Sequence, residues 1–222
     1  MRRSRLVAAA LAAALTLGVV ATAVAIAPPG LHGAAHAVKS DRVAFHDAMR
    51  KLWEDHITWT RLFIVSAATL PDNLPDTGST AERLLANQDD IGDALRPFYG
   101  DEVGDAVTSL LREHILIAAD IIAAAKAGDD AAVNQAVDAW YVNANEIADA
   151  LSGINPKHWP QDEMRAMMKA HLDRTLEEAV ARLQGRYEDD IKAYEQIHAD
   201  ILEMADMLSD GIIAQFPDQF RR

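Results

Sequence analysis

The chain has 222 residues, half of them hydrophobic, with 34 acidic against 21 basic side chains and a formal net charge of −13. A surface this acidic repels phosphate backbones and anionic headgroups, which argues against nucleic acid as a partner and leaves membrane contact to an N-terminal segment alone. Cysteine is absent, so disulfides, a thiol nucleophile and thiolate metal ligation are excluded.

Met1-Arg2-Arg3-Ser4-Arg5 precedes an unbroken apolar run from Leu6 to Ala27, the pattern of a basic region feeding the hydrophobic core of an export signal. The small residues of Ala35-His36-Ala37 offer a cleavage site, giving a signal peptide over residues 1–37 and a mature domain over 38–222. Cleavage there removes three arginines and moves the net charge from −13 to −16. Retained instead, the run is long enough to anchor the chain in a bilayer. Either way the expected location is extracellular or the cell envelope, and the domain must hold itself together by burial.

No period-two alternation is visible, and the remainder predicts six helices. The first spans about Val43 to Leu70 and stops at the turn-rich Pro71-Asp72-Asn73-Leu74-Pro75-Asp76-Thr77-Gly78. Ser79 with Glu82 forms a capping box for the second, which runs to about Arg96 before Pro97. The third covers Asp101 to Ala127, with Gly128 as its stop and Asp129 as the next N-cap. The fourth ends near Gly153. Pro160 opens the fifth, Gly185 separates it from the sixth, and the sixth fades at Phe216-Pro217.

These helices repeat. Leu52-Trp53-Glu54-Asp55-His56-Ile57, Leu110-Leu111-Arg112-Glu113-His114-Ile115 and Met167-Met168-Lys169-Ala170-His171-Leu172 superpose at a period of 56 to 58 residues. The partner helices repeat in step: Asn87, Asp90, Ile91, Gly92, Asp93 and Leu95 match Asn143, Glu146, Ile147, Ala148, Asp149 and Leu151, then Asp200, Glu203, Met204, Ala205, Asp206 and Leu208. The expected fold is therefore all-α, a six-helix bundle of three hairpins over about 43–96, 101–152 and 160–216 with one shared core. An open solenoid is the alternative.

At about 100° per residue, His56 falls at the centre of an apolar stripe with Phe45, Met49, Leu52, Trp59 and Phe63. His114 lies likewise among Val103, Val107, Leu110, Ile117 and Ile121. His171 has Met164, Met167 and Met168 beside it, but Arg174 and Glu178 share its side. On the second helices Asn87, Asn143 and Asp200 lie at the core edge, Asp90, Glu146 and Glu203 at the boundary, and Asp93, Asp149 and Asp206 on the solvent side. Distance from the hairpin turns sets His114 opposite Asn143 and His171 opposite Asp200, with His56 and Asn87 less evenly matched.

A threefold bundle brings equivalent side chains toward one axis, and three imidazoles are a common ligand set for a transition metal, zinc or copper foremost. On that reading His56, His114 and His171 bind the ion, while Asn87, Asn143, Asp200, Glu146 and Glu203 support them from behind. The plainer reading is that each histidine bonds the polar residue of its own hairpin and serves only the core. The absence of any Glu-x-x-His pair disfavours a di-iron oxidase. Met164, Met167, Met168, Met204 and Met207 crowd the third hairpin, as core filler or as thioether ligands for Cu(I). Phosphate loop, hydrolase elbow and zinc-protease motifs are all missing, which removes nucleotide and hydrolase chemistry.

The strings Leu52-Trp53-Glu54-Asp55-His56, Pro97-Phe98-Tyr99-Gly100, Trp140-Tyr141-x-Asn143-Ala144-x-Glu146-Ile147-Ala148, Glu203-Met204-Ala205-Asp206 and Gln215-Phe216-Pro217 resemble an uncharacterised family of small, exported, all-helical bacterial proteins. The resemblance covers about residues 43–217 and implies the same helical fold. Members often carry the label acetylglutamate kinase, but that enzyme is an α/β protein with a glycine-rich nucleotide site, and this sequence has neither. Three functions stand as expectations: an exported metal-binding bundle, a cell-envelope structural or protein-interaction module without metal or catalysis, and, third, an enzyme that uses the same metal with an open position.

Overall fold

In the computed structural model, residues 41–221 are described; the expected export signal lies outside them. Six helices follow one another: α1 Asp41–Ala67, α2 Thr77–Tyr99, α3 Asp101–Ala127, α4 Asp130–Ile154, α5 Gln161–Leu183 and α6 Tyr187–Gln215, with a final 3-10 turn Pro217–Phe220. No strand occurs among the described residues, and none of their helices is long and apolar enough to cross a membrane.

Each helix packs on its neighbours in sequence, and α6 returns to α1, which closes the ring and rules out an open solenoid. Helix α1 also touches α3 and α5 across the centre, so the three first helices of the hairpins face one another inside. Trp53, Ile57, Ile91, Leu111, Ile147, Leu172, Ile201 and Leu208, drawn from all six helices, form one apolar cluster. Phe63, Ile64, Leu84, Ile115, Ile122 and Ala179 form a second. Full burial of each large aliphatic side chain contributes about 1.5–3 kcal/mol, the main driving force in a chain without crosslinks.

The turns inside the second and third hairpins follow the expected chemistry. Gly128 and Gly185 both sit at φ 70°, the left-handed conformation that glycine adopts without strain. Asp129 N–H then bonds Ala124 O and Arg186 N–H bonds Ala181 O, which satisfies carbonyls left over by α3 and α5. Asp129 accepts from Ala132 N–H at 3.0 Å and caps α4.

Four boundaries differ from the sequence reading, the first being the end of α1 at Ala67 rather than near Leu70. Helix α2 begins at Thr77 rather than after a Ser79 cap, because the chain is already held by Thr77 N–H on Leu74 O and Thr80 N–H on Asp76 O. It also continues through Pro97 to Tyr99. A proline in the last turn removes few helical bonds, and Gly100 N–H on Arg96 O ends the helix instead. Pro160 serves as the residue before α5 rather than its first member.

The repeated Asp93, Asp149 and Asp206 do more than face solvent. Asp149 on α4 takes the Arg165 guanidinium of α5 through both oxygens, at 2.7 and 2.6 Å. Asp206 on α6 takes Arg50 of α1. Arg50 and Arg165 hold equivalent places before His56 and His171, so one clamp recurs where a hairpin meets the next. The second hairpin has Thr108 at that place, and Arg96 of α2 instead bridges Asp93 and Asp105. Such exposed pairs add little energy each and fix register more than stability.

Trp159, between α4 and α5, is fully buried and donates to Met207 O at 3.3 Å, with its indole against Gly211. A Cβ at Gly211 would collide with Trp159 Nε1. Gly211→Ala is therefore expected to destabilise the bundle by about 1–3 kcal/mol, read as a lower urea midpoint; an unchanged midpoint would show that the indole is free to move.

Candidate functional site

His56 of α1, His114 of α3 and His171 of α5 are all buried, at 3, 3 and 6 % exposure. They lie where the two apolar clusters meet. The rings of His56 and His171 are 5.9 Å apart between centroids, and those of His114 and His171 are 6.4 Å apart and nearly parallel. His171 thus stands between the other two. Three hairpins do bring their equivalent histidines to one region of the interior.

The supporting polar groups differ between hairpins. Asn143 Nδ2 donates to Leu110 O at 3.1 Å, which turns Asn143 Oδ1 toward His114 Nδ1 at 2.9 Å. An amide oxygen only accepts, so Nδ1 carries the proton and the His114 Nε2 lone pair is left free. Asn87 Nδ2 makes the equivalent bond to Leu52 O at 3.0 Å, but its oxygen accepts from Gln88 Nε2 at 3.2 Å rather than from His56. Asp200 pairs with Arg174. His56 Nδ1 and His171 Nδ1 are buried without a hydrogen-bond partner.

The carbonyls of the same residues are satisfied threefold by different means. Thr60 Oγ1 donates to His56 O at 2.8 Å and Thr175 Oγ1 to His171 O at 2.9 Å. The matching place in α3 is Ala118, and Trp140 Nε1 of α4 supplies the bond to His114 O at 3.0 Å. The Trp140 indole also stacks on the His114 ring, centroids 5.0 Å apart.

Burial disfavours the imidazolium in all three. It pushes His114 down to about 3, aided by His171 nearby, and His171 down to about 4, aided by Arg174. His56 is held well below its ordinary value by burial and by the other two histidines, with Gln88 acting in the opposite sense. All three are neutral at physiological pH, the form that binds metals.

The rings line a cavity of about 30 Å³, shared with Phe63, Leu84 and Ile122 among others. That volume exceeds the minimum for a single water. Among the described residues no three imidazole or carboxylate groups stand close enough around one point to hold an ion as they are. Zinc–nitrogen bonds of about 2.0 Å at tetrahedral angles would put ring centroids roughly 5 Å apart. The spacings of 5.9 and 6.4 Å each exceed that by about 1 Å.

Glu146 and Glu203 are exposed, as is Asp90, which pairs with Arg83. Their positions at the helix boundary leave them outside the histidine cluster, although Glu203 lines an outer groove that His171 also reaches. Of the expected supports, Asn143 alone bonds a histidine ring.

A second buried polar group is not evident from the sequence. Arg61 of α1 donates to Glu178 of α5 at 2.7 Å and to both oxygens of Asp190 of α6, while Arg182 approaches Asp190 at 3.5 Å. Glu178 and Asp190 are buried to 1 and 0 % exposure. Burial pushes Glu178 up to about 7 against the opposing pull of Arg61. A signal exists in the placement of Glu178 on the His171 side of α5. Asp190 gives none, since it reads as an ordinary acid in the first turn of a helix.

His46 of α1 joins Ser209 Oγ at 2.7 Å and Asp210 at 3.0 Å. Ser209 is fully buried and its hydroxyl also lies on Ala205 O of its own helix at 2.8 Å. That oxygen is unreachable to a substrate, and the trio fastens α1 to α6. In comparisons with family models, with curated proteins and with solved structures, the chain matches none.

Proposed function

We propose that this is an exported helical-bundle protein that binds a single transition-metal ion, zinc or copper, through His56, His114 and His171. One observation carries the reading: three buried, neutral imidazoles from three different hairpins line one small cavity, and two of them have ring nitrogens without a partner. Leaving such nitrogens unpaired costs on the order of 1–3 kcal/mol each, a penalty that an ion would remove. His114 is best prepared, because Asn143 fixes its tautomer and aims its ring.

The rival reading makes the histidines part of a cell-envelope structural or interaction module. The ring spacings of 5.9 and 6.4 Å, wider than ligation requires, favour it. Elemental analysis of protein purified without a polyhistidine tag, followed by titration with Zn²⁺ and with Cu⁺ under reducing conditions, separates the two. Metal binding predicts saturation at one Zn²⁺ and an affinity lowered about 10–100-fold in Asn143→Ala, with Glu146→Gln unchanged. Absence of saturable binding at micromolar metal would leave only the structural module.

A further inference from the structure

We infer that the outer groove between α5 and α6 is a separate site for a soft monovalent cation, copper(I), held by the thioethers of Met167 and Met204 beside the His171 imidazole. The groove is lined by these three residues together with Arg174, Asp200 and Glu203, and has a volume of about 210 Å³. Arg174 of α5 and Asp200 of α6 pair at this groove. Met204 lines it from α6. Met167 stands one turn before His171 on the same face of α5.

The residue types choose the ion. A thioether is a neutral, polarizable donor that holds Cu(I) and leaves Zn²⁺, Mg²⁺ and Ca²⁺ to harder ligands. The two carboxylates do not convert the groove into a hard-cation site, because Asp200 is already committed to Arg174 and Glu203 is exposed. Glu203 and the net charge of −13 draw cations to the mouth. Core filling accounts for Met164 and Met168, which are enclosed at 0 and 5 % exposure. Met204 is enclosed as well, at 3 % exposure, and Met167 packs partly buried on the same core, but unlike Met164 and Met168 these two also line the groove.

His171 belongs to the wall of both the groove and the inner cavity, and its Nδ1 has no partner. One ring therefore separates the surface site from the three-histidine cluster, and an ion held by the methionines has the shortest way inward past it. Delivery to the inner histidines rests on the metal-binding reading above; the affinity of the groove itself does not.

The test is titration of the full chain with Ag⁺ in chloride-free buffer, as a redox-inert stand-in for Cu⁺, followed through ¹³C-labelled methionine methyl resonances. Met167→Leu and Met204→Leu assign the two signals and are mild enough to keep the fold, checked by thermal melting. The expected result is saturable movement of the Met167 and Met204 methyls, and an Ag⁺ affinity at least tenfold weaker in the double variant with Zn²⁺ binding unchanged. Static methyls at those two positions, or equal Ag⁺ affinity in the double variant, would overturn the inference. Movement of these methyls in a protein that never binds Zn²⁺ would support the groove and sink the inner site; Zn²⁺ binding with static methyls would do the reverse.

Discussion

Acidification from pH 6.5 to 4.5 is expected to weaken the metal-free bundle by roughly 3 kcal/mol per pH unit, with net uptake of about two protons on unfolding. The sign follows from the histidines. Their folded values lie below the ordinary 6.5, with His114 near 3 and His171 near 4. In this window the unfolded chain therefore holds three protons that the folded chain refuses. Stability is fully present above pH 6.5 and is lost as pH falls.

Glu178 works the other way. Its folded value, raised from 4.5 to about 7, means that the folded chain keeps a proton which the unfolded chain gives up over the same range. Three protons against one leave two, and each is worth about 1.4 kcal/mol per pH unit. Against a typical total stability of about 5–15 kcal/mol, two pH units bring the protein close to its unfolding threshold. Urea unfolding at half-unit pH steps measures this directly. A flat profile between pH 6.5 and 4.5 would mean that the imidazoles are not buried as neutral bases. On the metal-binding reading, saturating Zn²⁺ should raise the whole curve and leave its slope in this window nearly unchanged, since the folded histidines hold no protons there for the metal to displace.

Arg61→Met is expected to destabilise the protein by about 3–5 kcal/mol, more than the loss of any exposed ion pair in the bundle. Arg61 is the only cation within 3.5 Å of Glu178 among the described residues, and it is the closer of two on Asp190. Its loss leaves two buried acids with Arg182 alone at 3.5 Å from one of them. It also removes the guanidinium from the face of the Tyr194 ring, where it lies 5.3 Å from the centroid. The loss should be greater at pH 8 than at pH 5.5, where Glu178 is protonated. Replacing all three members together, as Arg61→Met with Glu178→Met and Asp190→Leu, should recover most of it, because an apolar set leaves no unpaired charge behind. A loss under about 1 kcal/mol for the single change, the range of an exposed pair, would show that water reaches the acids.

Much of the bundle is legible in the sequence because its signals are local. Gly128 and Gly185 mark their turns by a conformation other residues avoid, and Asp129 caps α4 from one residue away. The repeat of His56, His114 and His171 is visible because each hairpin must present the same stripe to a shared core. The candidate site is only partly visible. Helical phase puts the histidines inside, and hairpin height pairs His114 with Asn143. It cannot tell that Gln88 stands between Asn87 and His56, or that Arg174 takes Asp200.

By itself, then, the sequence determined the helices, their pairing into hairpins, and which face of each one turns inward, since these depend on residue spacing and turn chemistry within a few positions. The tertiary structure alone decided how the ring closes, how far apart the three imidazoles stand, and which acid meets which cation. Arg61 lies 117 residues from Glu178 and 129 from Asp190. Contacts of that kind arise from the angle and depth at which whole helices pack, and no periodicity along the chain encodes them.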